Sequence, residues 1–465
     1  MKLNPILVVL CLLLVSTDCY PQGQKELPSA DLIITNAYVV TMNEGKDIFP
    51  NGAVVVQGSR IVAVGGAEIA RNFKAARTID AQGGIVLPGM VNTHTHVSMT
   101  VFRGLADDVP DRLRRFIFPL EKMMVDRDLV YWGALHGSVE MVQAGVTTYA
   151  DMYYFEDEVA RAAKEIGIRA LLGETVIGFP SPDAQTPAEG IEYARKFINA
   201  YKNDPLVTPA LAPHAPYTLD AQQLRTVGEE ARAMDVPVLI HLAETTREIE
   251  TVRKLSGKTP VEYLDSVGLL DRRLLAAHCI YVTDSDIELL KTRGVGVSHN
   301  VVSNIKSAKA VAPALRMFDL RLRIGLGTDG PMSGNTLDII GQMGYVSKLH
   351  KLVNQDQTVM PAIKVVEMAT IGGARALHME DSIGSLEPGK LADVVIIDND
   401  SVNMVPMYDV YSSLVYAANA RDVRTTIIHG RIIMENRQMK TVDVEKIKAA
   451  VRSISEKIAA AAAKL

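Results

Sequence analysis

Four side chains of metal-binding type end short apolar segments that lie far apart in the chain. They are His94, His96, His241 and Asp329, and each follows a run of apolar or small residues. Imidazole nitrogens and carboxylate oxygens are ligands for zinc and similar divalent cations. A bound divalent cation lowers the pKa of water towards neutrality, which makes hydroxide available for hydrolysis. The set therefore predicts a metal-dependent hydrolase.

The spacing of the first two histidines indicates where they point. On a strand, His94 and His96 lie on one face because side chains alternate with a period of two. Two structural histidines would explain this pair equally well, but the addition of His241 and Asp329 favours a metal site. The segment 212–217 at the end of the predicted fourth strand offers no lysine that could bridge two metals. A single divalent ion, held by three histidines and one aspartate, is therefore the prediction.

Eight apolar strand-like runs alternate with helical periodicity across residues 89–384. The first precedes His94, and the others are Val146–Asp151, Ile168–Leu172, Val207–Leu211, Val236–Ala243, Leu274–Ile280, Gly294–Ser298 and Arg323–Asp329. Eight alternations of strand and helix predict an α/β fold of the (β/α)₈ barrel type. In such barrels the functional residues lie at the C-terminal ends of the strands, where these polar side chains fall.

The flanking segments have a different texture. Residues 28–88 and 385–440 contain short β-branched runs separated by turn signals such as Asn51-Gly52. We expect these two segments to pair into one small composite β-sandwich beside the barrel. Residues 442–465 are predicted to form an exposed C-terminal helix.

Further polar residues near the predicted strand ends could handle protons or bind substrate. Glu244, three residues after His241, could take a proton from water and deliver it to a ring nitrogen, although a solvated or supporting loop acid is an alternative. His278 could hydrogen-bond the attacking water or serve as a fifth metal ligand. His214 lies between two prolines and could face a heterocycle, or be an ordinary loop histidine.

Composition and charge limit the partners. The chain has 465 residues, of which 22% are charged, and its formal net charge is −5. A mildly acidic chain without a basic run has no electrostatic footprint for nucleic acid or anionic lipid. We therefore expect a small-molecule substrate and no nucleic-acid partner. An inactive exported binding protein is the alternative of another class, and the full ligand set with Glu244 argues against it.

The N-terminus suggests export. Residues 1–20 resemble a secretory signal peptide, because Lys2 precedes an apolar run, Ile6–Val15, that is too short to span a bilayer. An apolar N-terminal helix or strand is the alternative. Cys19 could carry a lipid anchor, but Asp18 fits such a site poorly. The prediction is a periplasmic or secreted protein with no membrane span.

Several motifs together resemble those of the amidohydrolase superfamily, and more narrowly its 5-methylthioadenosine/S-adenosylhomocysteine deaminase group. Triazine hydrolases and guanine deaminases are neighbours of this group. The motifs are Pro88–His96, Phe102–Gly104, Pro119–Glu121, Gly145–Thr148, Pro213–Tyr217, His241–Glu244, Ala277–Cys279, Ser298–Asn300, Ser303-Asn304, Gly327–Gly330 and Gly384–Asp393.

The resemblance implies roles for particular residues. It implies zinc or iron at His94, His96, His241 and Asp329. It implies that Glu244, His278 and Asp329 handle protons, that Glu121 contacts ribose hydroxyls and that His214 contacts the purine ring. The implied reaction is hydrolytic loss of ammonia from C6 of an adenine nucleoside. Such barrels commonly pair, so a homo-oligomer is expected.

One segment departs from the pattern of the group. The group meets the homocysteine carboxylate with arginines after the third strand, whereas Gly173–Gly190 contains no Arg or Lys and carries Glu174, Asp183 and Glu189. An acidic loop would repel a carboxylate. The hypothesis is that S-adenosylhomocysteine is a poor substrate and that methylthioadenosine, adenosine or 5'-deoxyadenosine is preferred. Another hydrolase of the superfamily, acting on a triazine, guanine or related ring, is the alternative.

Overall fold

The computed structural model describes residues 27–465. The predicted signal peptide and Cys19 lie outside these residues. The described chain opens with five strands that belong to one sheet: β1 (Ser29–Val40), β2 (Ile48–Gln57), β3 (Arg60–Gly66), β4 (Lys74–Asp80) and β5 (Ile85–Pro88).

Eight strands then form a second, all-parallel sheet. They are β6 (Met90–Thr95), β7 (Val146–Tyr153), β8 (Arg169–Val176), β9 (Val207–Pro213), β10 (Val238–Leu242), β11 (Leu274–His278), β12 (Gly296–His299) and β13 (Arg323–Leu326). Nearly every residue of these strands is buried, as expected for strands covered by helices on one face and packed inside a barrel on the other. The backbone N–H groups of Thr328 and Asp329 donate to His94 O at 3.1 and 3.0 Å, which brings the last strand back to the first. The predicted (β/α)₈ barrel is confirmed.

Four C-terminal strands return to the first sheet: β14 (Val394–Ile397), β15 (Val423–Ile428), β16 (Arg431–Glu435) and β17 (Gln438–Met439). β14 pairs with β5 antiparallel, so both ends of the chain build one nine-stranded sheet. Successive residues of this sheet face two separate apolar clusters, with Ile34 and Val54 in one and Ile33 and Val55 in the other. The boundaries of the composite domain at residues 88 and 385 stay predictions.

The first ten α-helices lie between the barrel strands, and the other five follow the last strand of the barrel. Their bounds are α1 (Phe118–Met124), α2 (Arg127–Gln143), α3 (Glu156–Ile166), α4 (Pro187–Tyr201), α5 (Ala221–Met234), α6 (Thr246–Ser256), α7 (Pro260–Ser266), α8 (Asp284–Arg293), α9 (Val301–Lys306), α10 (Ala314–Asp319), α11 (Ile339–Asn354), α12 (Ala362–Ala369), α13 (Ile371–Ala376), α14 (Val410–Ser412) and α15 (Val444–Ala462). Within residues 27–465, no helix has the length and apolar character that crossing a bilayer requires.

The C-terminal helix differs from its prediction in one respect. α15 is not simply exposed, because Ile447 and Ile458 are buried where it packs against α1 and α2. Isoleucines spaced eleven residues apart fall on one face of a helix and find an apolar partner there.

Candidate active site

The imidazoles of His94, His96 and His241 converge at the C-terminal end of the barrel, and a metal ion could bind between them. One ligand nitrogen from each lies within 4.8 Å of the others, and the Nε2 atoms of His96 and His241 are 3.3 Å apart. Asp329, just beyond β13, places Oδ1 at 3.8 Å from His94 Nε2 and 3.5 Å from His96 Nε2. Four residues separated by up to 235 positions therefore share one point, as the strand-end pattern predicts.

Hydrogen bonds on the far side of two rings decide which nitrogen faces that point. His96 Nδ1 donates to Met152 O at 2.5 Å, and His241 Nδ1 donates to His214 O at 2.8 Å. A neutral imidazole that donates from Nδ1 carries its lone pair on Nε2, and such supporting bonds are typical of metal-bound histidines. His94 Nε2 is buried and has no hydrogen-bond partner among the described residues. This orphaned acceptor beside two others fits a divalent cation.

The protonation of the cluster also fits a cation. Burial lowers the pKa of His94 well below its ordinary value, and burial likewise lowers the pKa values of His96 and His241. Burial alone would raise the pKa of Asp329, but the neighbouring histidines and a hydrogen bond from Ser303 hold that pKa below its usual range. Neutral imidazoles and an ionised carboxylate are the forms that bind metal.

Two residues of the site adopt left-handed backbone conformations. His278 has φ +76° and Asp329 has φ +60°. Non-glycine residues seldom occupy this region, and it is sustained only where the surrounding structure fixes it. Here Ser303 Oγ donates to Asp329 Oδ2 at 2.5 Å, and His278 Nδ1 contacts Asn304 Oδ1 at 2.9 Å. The strand ends therefore turn these two side chains towards the cavity and α9 holds them there.

Glu244 lies beside the histidine cluster, on the loop that follows β10. Its Oε1 is 3.7 Å from His278 Nε2 and also pairs with the ammonium of Lys309. Its backbone N–H donates to Glu248 Oε2 at 2.9 Å, which fixes the loop. Burial alone would raise the pKa of Glu244, but His278 and Lys309 hold that pKa below the ordinary range, so the carboxylate is charged.

The two predicted substrate-binding residues line the same cavity as the histidine cluster. Glu121, on α1, is 6% exposed and accepts a hydrogen bond from Tyr153 at 2.9 Å. Burial raises the pKa of Glu121 to about 7. The His214 ring packs 4.9 Å from that of His241 and 6.2 Å from that of Phe118. The cavity thus has a polar end at the histidine cluster and an aromatic wall suited to a heterocycle.

The roles of some residues near the site could not be predicted from the sequence. Ser303 and Asn304 form one of the motifs named in the sequence analysis, but their role became clear only from their contacts with Asp329 and His278 in the structure. Lys309 carries no motif signal at all. His299, at the end of β12, is buried and lies 3.2 Å from Nε2 of His350, which indicates a structural pair.

The acidic segment Gly173–Gly190, which was predicted to be a loop after the third barrel strand, is arranged differently in the structure. Glu174 lies inside β8, is fully buried and accepts from Glu156 N at 3.0 Å. Asp183 accepts hydrogen bonds from Phe155 N and Ser181 Oγ at 2.8 and 2.9 Å. Neither these two nor Glu189 lines the cavity at the histidine cluster. The premise that an acidic loop faces the substrate is therefore wrong.

Two buried acids, Glu174 and Asp151, predict that the stability of the protein declines with rising pH. Burial raises the pKa of Glu174 well above its ordinary value and the pKa of Asp151 to about 7. Their stabilising contribution is complete below the unfolded pKa of about 4 and is lost as the pH rises to the folded pKa. We expect these two groups to lower the Tm by a few degrees as the pH rises from about 4 to about 7, the raised pKa of Asp151. Scanning calorimetry of Glu174→Gln should show a shallower decline, and the exposed Glu189→Gln serves as control. Equal slopes in all three proteins would contradict this assignment.

A parallel barrel with three imidazoles and a carboxylate gathered at its C-terminal end has the architecture of a metal-dependent hydrolase. The family model described as "Amidohydrolase family" matches residues 85–433. The chain belongs to the amidohydrolase family.

Relatives and solved structures agree with this assignment. A 5-methylthioadenosine/S-adenosylhomocysteine deaminase of Syntrophobacter fumaroxidans is 44% identical over 432 residues, covering 92% of this chain and 98% of the relative. A 5'-deoxyadenosine deaminase of Methanosarcina acetivorans is 38% identical over 439 residues, covering 93% and 99%. The crystal structure of an adenosine deaminase from Xanthomonas campestris with bound zinc superposes with a TM-score of 0.91 at 35% identity, covering 93% of this chain and all of that one. The resemblance drawn from the motifs is confirmed.

Proposed function

We propose that this protein is a metal-dependent deaminase that hydrolyses the 6-amino group of an adenine nucleoside and releases ammonia. The observation that carries the proposal is the placement of Glu244 and His278 beside three converging imidazole nitrogens, within a cavity that also exposes Glu121 and His214. Three relatives of high coverage whose names state a deaminase acting on an adenine nucleoside support it.

The residues present would hold one divalent ion through His94, His96, His241 and Asp329. Zinc is the proposed metal, supported by the zinc in the Xanthomonas structure and by the nitrogen-rich ligand set, with iron as the alternative. When bound, the ion supplies Lewis acidity that makes water nucleophilic at neutral pH.

The side chains around the ion then manage the protons. Glu244 accepts the proton of the attacking water and delivers it to ring nitrogen N1, which increases the electron demand at C6. His278 hydrogen-bonds the attacking water through Nε2, since its Nδ1 is committed to Asn304. Asp329, which is ionised at the outset, takes the remaining proton of the hydroxyl added at C6 and passes it to the amino group. The C6–N bond then breaks, and ammonia leaves as the C6 carbonyl forms.

Glu121 should contribute to substrate binding through the ribose hydroxyls. In assays at about pH 8.5, above the raised pKa of Glu121, replacing this carboxylate by glutamine weakens a hydrogen bond to a charged acceptor, worth about 1.5–3 kcal/mol. We expect KM for adenosine to rise about 10- to 100-fold with little change in kcat. Adenine, which lacks the ribose, is the internal control. A similar loss with adenine would show that Glu121 acts on the ring or on the fold instead.

We propose that adenine nucleosides with a neutral 5' substituent are preferred as substrates over S-adenosylhomocysteine. The reason is the lining of the cavity and not the acidic segment Gly173–Gly190. Within residues 27–465, the lining of the cavity at the histidine cluster contains no Arg or Lys and presents Leu113, Ile117 and Phe118, whereas Arg112 and Arg114 line only the adjoining cavity. Such a wall suits a methylthio or methyl group better than an amino acid. Equal or better kcat/KM for S-adenosylhomocysteine than for methylthioadenosine would discard this preference.

The direct test of the function is ammonia release from a panel. The panel contains adenosine, 5'-deoxyadenosine, methylthioadenosine, S-adenosylhomocysteine, guanine and a chlorotriazine, with chloride release followed for the last. Deamination of at least one adenine nucleoside is expected to exceed that of guanine. Turnover of guanine or the triazine without turnover of any adenine nucleoside would refute the proposal and would support the alternative, a hydrolase that acts on another heterocyclic ring.

Export and self-association are also proposed. Export is supported by the signal-like pattern of residues 1–20, and cell fractionation with N-terminal sequencing of the mature protein would test it. Self-association is supported by the exposed Tyr345, Leu352 and Val353 on α11, and the mass in solution from light scattering would test it.

A further inference from the structure

We propose that Lys309 is a positioning residue that keeps the Glu244 carboxylate out of contact with His278 and aimed at the reacting ring. This inference rests on the proposed deamination. It concerns a residue that no motif in the chain singled out.

The contacts of Glu244 show a competition for one oxygen atom. Oε1 pairs with the Lys309 ammonium, whereas His278 Nε2 stands 3.7 Å away from the same oxygen, too far for a hydrogen bond. Without Lys309, a buried carboxylate would seek another partner, and His278 Nε2 already lies 3.7 Å from Oε1. Glu244 and His278 would then bind each other instead of the ring nitrogen and the attacking water.

Lys309 is itself held firmly. Its side chain is 21% exposed, and Glu244 is the only carboxylate within ion-pair distance of it in the part of the chain that the structure describes. Its backbone N–H donates to Asn304 O at 2.9 Å. An ammonium fixed by burial and backbone can orient its partner, unlike the mobile lysine of a surface pair.

One short segment contacts all three proton-handling groups. Ser303 donates to Asp329, Asn304 contacts His278 Nδ1 and Lys309 pairs with Glu244. The end of α9 and the turn after it therefore act as a single support for the catalytic side chains. Of these three contacts, the one to Glu244 is made by a charged side chain, that of Lys309, and the other two are made by neutral side chains.

The surroundings of Lys309 also allow the ammonium to be replaced. A second cavity of about 520 Å³ adjoins the first at Glu244, and Lys309 lines the second cavity but not the first. Because Lys309 is not among the residues that line the first cavity, its loss should affect turnover more than binding. A small alkylammonium ion could enter the second cavity and occupy the position of the lost ammonium.

The test uses Lys309→Ala, Lys309→Arg and the control Lys46→Ala, which removes a partly buried lysine paired with Glu367 at 2.9 Å outside the site. For the best nucleoside of the panel, Lys309→Ala should lower kcat about 10- to 100-fold, the size expected for a misplaced proton-transfer group. KM should stay within about twofold, because an interaction made only in the transition state is lost. Lys309→Arg should restore most of kcat.

Chemical rescue separates positioning from a structural role. Ethylammonium should raise kcat of Lys309→Ala in a saturable manner and leave the wild type and Lys46→Ala unchanged. Unchanged kcat in Lys309→Ala, a loss seen mainly in KM, or no rescue by either ethylammonium or arginine would overturn the proposal. If Lys309→Ala does not fold, Lys309→Gln and Lys309→Arg give the same comparison. A wild type that deaminates no nucleoside would instead refute the proposed function.

Discussion

Replacing Glu244 by glutamine should lower kcat by about 10²- to 10⁴-fold and leave the metal content unchanged, because general acid–base groups contribute about this much. The amide keeps the size of the side chain and its place beside Lys309 and His278 but cannot accept the proton of water. Because Glu244 is not among the proposed metal ligands, its neutralisation should not release the ion. Steady-state ammonia release and elemental analysis of the same preparation measure both quantities.

A matched control is available on the other side of the molecule. Glu380 is partly buried and ion-paired with Arg323 at 2.6 Å, so Glu380→Gln removes a comparable charge away from the cavity. This variant should retain kcat within about twofold, as expected for a remote and partly exposed pair. Full activity in Glu244→Gln would refute the proton-transfer role, and loss of metal in that variant would make Glu244 a ligand.

Replacing His241 by alanine should remove both metal and activity. Even residues that only support a metal ligand change metal affinity by about 10- to 100-fold, so loss of a ligand itself should exceed about 100-fold. Ammonia release should fall to background, and metal per chain should fall from about one equivalent to near zero after dialysis.

The control is His429→Ala, since His429 lies in the composite sheet region and has no contact with the cluster. It should keep metal and turnover. A His241→Ala variant that retains one tightly bound ion would mean that the other residues hold the metal without it.

The barrel and its metal-type cluster could be predicted because they depend on local patterns. Each buried strand is a short apolar run, and the residue that ends it stands at the same edge of the barrel as the ends of the other strands. His94, His241 and Asp329 could therefore be brought together from sequence alone. Their hydrogen bonds to Met152, His214 and Ser303 could not, because those depend on which groups face each other across neighbouring strands.

The acidic segment shows why some of the site could not be predicted. The apolar run of the third strand was expected to end at Leu172, but β8 continues to Val176 and takes Glu174 into the interior. Within a strand, side chains alternate between two faces, so the position of Glu174 in β8 decides that its carboxyl points into the interior. A segment that is interpreted as a loop has no such alternation, and the direction of its side chains cannot be predicted. Lys309 was missed for a related reason, since a lysine in a turn is usually exposed and only the packing of α9 brings it to Glu244.

Anomalous diffraction at the zinc edge from crystals of the purified protein would locate the metal ion directly. We expect one strong peak per chain, about 2.0–2.2 Å from ligand nitrogens of His94, His96 and His241 and from an oxygen of Asp329. Placement of the peak elsewhere, or a fully active protein with no metal among these four side chains, would contradict it.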